Sequence, residues 1–260
     1  PDYNRFQIDT RDIGSMMGKA CSDLDGITVA SEYLKKTLEG RFGWKNIKVL
    51  PNTVPGFVYG TNPRRSVEDD IETPRVLYAG STSHFKQGHL GDFDGPWVPW
   101  MRKAAQEGAI ELHCFGYRAP DFLAGVPLTL HEFVPAVAFP QAIAAIRPDI
   151  YLAPLQENDF NRCKSDLKLL EAAAVGAALL GSGFKDSPYS KAHPLSLAGT
   201  DFTADNIECL VREICRKDGF NSILAHQRWL MEDGGRYTES NASVLRFLKA
   251  YMGDSVGCIG

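Results

Sequence analysis

The chain has 260 residues, 44% of them hydrophobic and 23% charged, which suits one substantial core or two smaller ones and excludes disordered and collagen-like classes. A formal net charge of −4 argues against broad electrostatic capture of nucleic acid or acidic lipid, and no run approaches the ~18 apolar residues of a membrane span. Six cysteines, Cys21, Cys114, Cys163, Cys209, Cys215 and Cys258, are scattered without a C-x-x-C pair, so they read as reduced thiols and not as zinc ligands or a disulfide framework. Behind Pro1-Asp2-Tyr3 there is no basic segment followed by an apolar one, so no secretory signal is expected and the expected location is cytoplasmic.

In chain order, a helical pattern over 13–24 leads into the apolar run Gly26-Ile27-Thr28-Val29-Ala30, a strand. Ser31 is placed to cap a helix reaching Phe42, with Glu32 and Leu34 in its first turn. Residues 47–50 make another short strand, stopped by Pro51-Asn52. Residues 56–73 are rich in Pro, Gly, Arg and acidic residues and lack apolar periodicity, which makes them the expected linker. A new unit opens with the strand 75–80, whose Gly80-Ser81-Thr82 turn would let a ligand approach the backbone closely; the plain alternative is a strand-end turn. A helix over 97–107, strands over 110–115 and 128–133, a helix over 140–146 and a strand over 149–153 follow. Such alternation predicts a parallel sheet with ligands at the strand C-terminal ends. Trp97 and Trp100, at i and i+3, read as packing. His84, His89, Asp92 and Asp94 match no standard zinc spacing, and no metal site is expected there.

Residues 151–182, YLAPLQENDFNRCKSDLKLLEAAAVGAALLGS, carry the densest signal: a buried strand, a polar loop, a helix and a second strand. Leu167, Leu169, Leu170, Ala173 and Ala174 give the helix its apolar stripe, and Gly176 closes it. Lys164 and Ser165 are expected in its first turn, where a cation opposes the helix dipole unless an anion is near. That placement favours a phosphate ligand. Arg162 beside Lys164 would help neutralise a diphosphate, and Asn161 would bond a sugar hydroxyl; routine loop polarity is the alternative for both. Beyond, 184–188 reads as a strand-end loop. Helices are expected over 204–217, 220–232 and 237–252, with breaks at Gly219 and Gly234-Gly235, then a loose tail over 253–260.

The run from Ala153 to Ser182, with its KS-x-LK-x-x-E core, resembles the donor-nucleotide motif of the group 1, glycogen-synthase-like glycosyltransferases. These are retaining enzymes of the GT-B fold that use sugar nucleotides. The passage DGITVASEYLKKTLEGRFGWKNIKVLPNTV is similar to the last β-α-β of the N-terminal domain in the same family. The resemblance implies an α/β fold, a Rossmann-like parallel sheet with helices on both faces, preceded by the end of a second Rossmann-like domain. It divides the chain into 1–55 (end of the acceptor-side domain), 56–73 (linker), 74–236 (donor-binding domain) and 237–260 (C-terminal helix and tail, the helix packing back on the segment before residue 50).

By the same resemblance Lys164, Ser165 and the glycine turn at Gly80 and Ser81 face the donor diphosphate. Glu171 holds the ribose, and Val134 and Pro135 present the main chain to the base; for those two a structural strand-to-helix turn stays open. Cys163 stands eight positions before Glu171, where the family carries a carboxylate toward the donor sugar. For Glu171 the structural alternative is an ion pair with Lys168. The implied activity is transfer of a glycosyl unit from a nucleotide diphosphate sugar to an unknown acceptor, with no cofactor and no metal. Most acceptor contacts in the family belong to an N-terminal domain of which this sequence holds the last third, so a missing domain or a partner chain is expected. The alternatives are a non-catalytic nucleotide-binding or scaffolding domain and a sugar-nucleotide epimerase.

Overall fold

The computed structural model describes residues 18, 19, 21, 24–59, 66–80, 91–116, 121–238, 241, 242, 244–246 and 249. The chain forms two compact units, Pro1–Pro51 and Asn52–Gly260.

In the first unit, β1 (Ile27–Val29) and β2 (Ile47–Val49) pair in parallel with Ile27 opposite Ile47, joined by α1 (Glu32–Phe42). The helix begins as the sequence predicts: the Ser31 side chain accepts the Leu34 amide at 3.2 Å. It ends at Gly43, whose φ of 65° returns its N–H to the Glu39 carbonyl. Of the helix expected over 13–24, residues 18, 19, 21 and 24 are described; the first three are helical and Leu24 is not.

The second unit is built on six parallel strands. In chain order its elements are α2 (Gly56–Tyr59), β3 (Arg75–Ala79), a 3-10 turn at Gly91–Phe93, α3 (Trp97–Gln106), β4 (Glu111–Phe115), β5 (Thr129–His131), α4 (Phe139–Ile146), β6 (Ile150–Ala153), α5 (Asp159–Arg162), α6 (Leu167–Val175), β7 (Ala178–Gly183), β8 (Leu197–Gly199), α7 (Ala204–Cys215) and α8 (Lys217–Glu232). The strand order is β5-β4-β3-β6-β7-β8, with every neighbouring pair parallel. The central strands have both faces covered, so Ile150–Ala153 is buried at every position.

Alternation along β3 sends Val76 and Tyr78 to one core, with Trp97, Trp100 and Met101 of α3 and Ile207 and Ile214 of α7. Leu77 and Ala79 go to the other, with Ile143 of α4 and Leu169, Leu170 and Ala173 of α6. Trp97 and Trp100 are 4% and 1% exposed, which is the packing role their spacing suggests. Helix α8 serves both layers, Phe220 and Ile223 in the first core and Leu230 and Met231 in the second.

The chain runs from β3 outward through β4 to β5, then returns to place β6 on the other side of β3 and continues outward to β8. This reversal opens a crevice at the C-terminal ends of β3 and β6, where open α/β sheets bind ligands.

Three details depart from the sequence reading. Gly219 is not a break: α8 starts at Lys217, and the interruption is Arg216, extended at φ −64°, ψ 142°. A Cβ on Gly219 would collide with the Glu213 carbonyl, so the glycine permits close approach of one helix start to the preceding helix end. Strand β8 went unpredicted, since Leu-Ala-Gly is too short to show alternation. Within 56–73, Gly56–Tyr59 is a helical turn, and Val67 and Ile71 rest against the first core.

Candidate functional site

The site is built by the connection between β6 and α6. Its start is fixed by Ser182 of β7, whose hydroxyl accepts the Leu155 amide at 2.8 Å. Asn158 then caps the single turn α5, its side chain accepting the Asn161 amide at 2.8 Å. Asn161 is 1% exposed and donates its amide nitrogen to Asp92 Oδ1 at 2.7 Å and to the Gln156 carbonyl at 2.8 Å. Two acceptors on one side fix the orientation of this amide. Lys164 extends its ammonium to Asp92 Oδ2 at 3.2 Å and lies 5.2 Å from the centroid of the Phe160 ring. Asn161 and Lys164, from the loop after β6, thus meet on one carboxylate from the segment after β3.

Lys164 and Ser165 do not lie in the first turn of the helix, as the sequence reading expects. They lie just before it, because the Lys164 amide still closes the α5 turn onto the Asn161 carbonyl at 3.1 Å and α6 begins at Leu167. Asp166 occupies the cap position without capping. Its carboxylate is taken instead by Arg236, at 2.6 and 2.8 Å, and Arg236 also donates to the Asn52 carbonyl. Asn52 in turn donates its side-chain amide to the Ser165 hydroxyl at 2.7 Å. The Asp166 carbonyl receives the Leu169 and Leu170 amides, so those of Leu167 and Lys168 have no partner among the described residues.

Glu171, one turn further along α6, is 6% exposed. Its Oε2 accepts from the Tyr151 hydroxyl at 2.9 Å and from the Lys168 ammonium at 2.8 Å, so the Lys168 pairing weighed from sequence is present. Both bonds use one oxygen, and Oε1 has no partner among the described residues. Burial, with the Glu171 charge second, raises the Tyr151 and Tyr59 hydroxyls above their ordinary range and keeps both protonated.

Gly80 follows β3 at the crevice, and a Cβ there would collide with the Tyr78 hydroxyl, so any larger residue would have to displace the Tyr78 ring. Ser81 lies outside the described residues, as do His84 and His89. Val134 and Pro135 follow the edge strand β5. The Pro135 carbonyl accepts the Ala138 and Phe139 amides and starts α4, while Val134 packs on the second core, so the structural role open for this turn is present. Beside it, His131 and His113 share a hydrogen bond of 2.9 Å across β5 and β4. Burial lowers the pKa of both. Arg162 turns to Glu157 and Asp159, at 2.7 and 2.9 Å, while Lys164 turns to Asp92.

Tyr151, Asn52 and Arg236 escaped sequence reasoning, which weighed Asp92 only within a His/Asp cluster, since Asp92 lies 69 positions from its partner Asn161 and Arg236 lies 70 from Asp166. Two cavities open beyond the crevice, at the ends of β7 and β8. One of about 430 Å³ is lined by Asp94, Trp97, Gln156 and Thr200, and one of about 710 Å³ by Glu157, Lys185 and Phe202. Among the described residues no group of three or more His, Cys, Asp or Glu is placed to hold a metal, and no helix is long and apolar enough to cross a membrane.

No family model and no curated protein matches the sequence. Solved structures do. A glycosyltransferase from Rickettsia africae superimposes with a TM-score of 0.63 at 12% identity, over 92% of this chain and 68% of that one. A TarM mutant from S. aureus, in a complex that contains UDP, gives 0.58 at 13% identity over 90% of this chain and 45% of TarM. WaaG, a glycosyltransferase involved in lipopolysaccharide biosynthesis, gives 0.55 at 14% identity over 84% of this chain and 61% of WaaG. The fold is that of the GT-B glycosyltransferases. At these identities the likeness is one of GT-B architecture, and the chain spans about half to two thirds of the length of these GT-B proteins.

Proposed function

We propose that this chain is the donor-binding part of a glycosyltransferase that moves a sugar from a nucleoside diphosphate sugar to an acceptor, with retention at the anomeric carbon. The observation that carries the reading is that Asn161 and Lys164 meet on Asp92 beside the β3–β6 crevice, followed along the chain by a helix start whose Leu167 and Lys168 amides have no partner among the described residues. A cation just ahead of an uncapped helix start, at the ligand end of a parallel sheet, suits a diphosphate.

In this reading Lys164, Ser165 and Gly80 face the diphosphate, Arg162 joins them by leaving Glu157 and Asp159, and together they stabilise the charge that develops on it as the glycosidic bond breaks. The Leu167 and Lys168 amides add fixed dipoles that need no reorganisation during the reaction. Glu171, held by Tyr151 and Lys168, offers Oε1 to the ribose. Main-chain groups at Val134 and Pro135 meet the base. Asn161, expected from the sequence to bond a sugar hydroxyl, is 1% exposed with its amide nitrogen taken by Asp92 and Gln156, and its role is to orient the loop that faces the sugar. The cationic groups and amides do the work a divalent ion does elsewhere, so no metal or cofactor is assigned. Acceptor contacts would come from residues outside this chain or from a partner polypeptide.

The Cys163 thiol, in place of the carboxylate that the resemblance implies, favours a second reading in which the site binds nucleotide without turnover. Calorimetry with uridine and guanosine diphosphates tests the binding common to both. A wild-type heat that falls at least about tenfold in affinity in Lys164→Ala and Glu171→Ala supports the site; no heat with any nucleoside diphosphate sinks it. Release of sugar from a nucleotide sugar separates enzyme from binder.

A further inference from the structure

We infer that Asp92 is an internal counter-anion for Lys164, a positioning residue that occupies the ammonium while the site is empty and competes with a bound diphosphate for it. The inference rests on the proposed donor site and adds what that site does between ligands. Among the described residues three donors converge on Asp92: the Gln156 amide at 3.2 Å and the Asn161 side chain at 2.7 Å on Oδ1, and the Lys164 ammonium at 3.2 Å on Oδ2. The division of labour between the two oxygens matters. Oδ1 ties down the loop through neutral donors, and Oδ2 holds the cation.

The geometry makes the cation the movable member of this cluster. Asn161 is buried and its two bonds fix it, and Asp92 sits in the 3-10 turn Gly91–Phe93 with 7% exposure. Lys164 keeps a quarter of its side chain in solvent and ends on a flexible four-carbon stem. Its other neighbour is the face of Phe160, an aromatic ring left 74% exposed, which supports the ammonium without fixing its direction. An ammonium carries three donor hydrogens, so it can swing between Oδ2 and a phosphate oxygen or bridge both.

Two consequences follow. In the empty site the positive charge is neutralised, and the loop stands in its working position before any ligand arrives. In the occupied site the diphosphate faces a carboxylate as well as a cation. That like charge offsets part of the attraction and favours release of the diphosphate after transfer.

Removing the Asp92 charge while retaining a hydrogen-bonding oxygen therefore tightens anion binding, and does so only while Lys164 is present. The test is a double-mutant cycle read by calorimetry, with uridine diphosphate and inorganic pyrophosphate as probes. Its proteins are wild type, Asp92→Asn, Asp92→Ser, Lys164→Gln and the two double variants, each checked for folding by circular dichroism. The expected result is about tenfold tighter binding in either neutral variant that folds, with no change in the Lys164→Gln background. A neutral variant that folds and binds more weakly overturns the inference, since a purely structural anchor would behave that way. Equal tightening with and without Lys164 overturns it too. If uridine diphosphate binds to wild type without this coupling, the inference falls and the donor reading stands. If pyrophosphate alone binds and shows the coupling, the counter-anion stands and the donor reading falls. If neither probe binds any variant, both fall.

Discussion

Helices α6 and α7 begin in opposite ways. Helix α7 is closed by its own sequence: Thr203 accepts the Asn206 amide at 3.2 Å while the Asn206 side chain accepts the Thr203 amide at 2.9 Å, a complete capping box. Helix α6 has an equally good capping residue in Asp166, yet Arg236 has claimed its carboxylate and the Leu167 and Lys168 amides have no partner among the described residues. One start is satisfied locally, and the other is kept unsatisfied by a residue 70 positions away. A helix end left open at the ligand end of a parallel sheet is available to an anion, and the cost of holding it open is met by a buried ion pair.

Breaking the distal restraint should have the largest effect. Arg236→Ala leaves the Asp166 carboxylate, 12% exposed, without its partner and two bonds to the Asn52 carbonyl unmade. A loss of about 3–5 kcal/mol is expected, read as a lower urea midpoint at unchanged slope. Tyr151→Phe comes next. It removes one fully buried donor from Glu171 but leaves Lys168, so about 1–2 kcal/mol of stability should go, with nucleotide affinity falling alongside. Thr203→Ala at the self-capped helix should cost about 1 kcal/mol and leave nucleotide affinity untouched. A fall in affinity there would erase the distinction between the two helix starts.

The smallest expected effect concerns pH at the other end of the sheet. Burial lowers the His113 and His131 pKa values below their ordinary 6.5, so the unfolded chain takes up protons first as pH falls. Their stabilising contribution is complete above that value and is lost as pH drops through it toward the folded pKa values. The melting temperature should therefore fall from pH 7.5 to 5.5, and His131→Asn should flatten the slope. An unchanged slope would place the sensitivity elsewhere, His193 being a third histidine lowered by burial.

The fold was legible wherever a pattern is local. The Ser31 cap, the buried run Ile150–Ala153, the glycine stop at Gly176 and the alternation of strands with helices are set by neighbours within a few positions, and the structure carries each of them. The unpredicted β8 and the misread role of Gly219 fail for the converse reason. A three-residue edge strand is defined by the strand it joins, and Gly219 by the Glu213 carbonyl it must clear.

At the site, the order of residues along the chain sets which chemistry is present: an Asn, a Lys and a Ser ahead of a helix, and a Glu on that helix behind a Lys. Where each one points was settled by the packed fold. It gave Lys164 to Asp92, Asp166 to Arg236 and Glu171 to Tyr151. Local propensity acts over a turn or two of chain, whereas charges and hydrogen bonds pair by distance in space, and that distance is set by how the sheet is ordered.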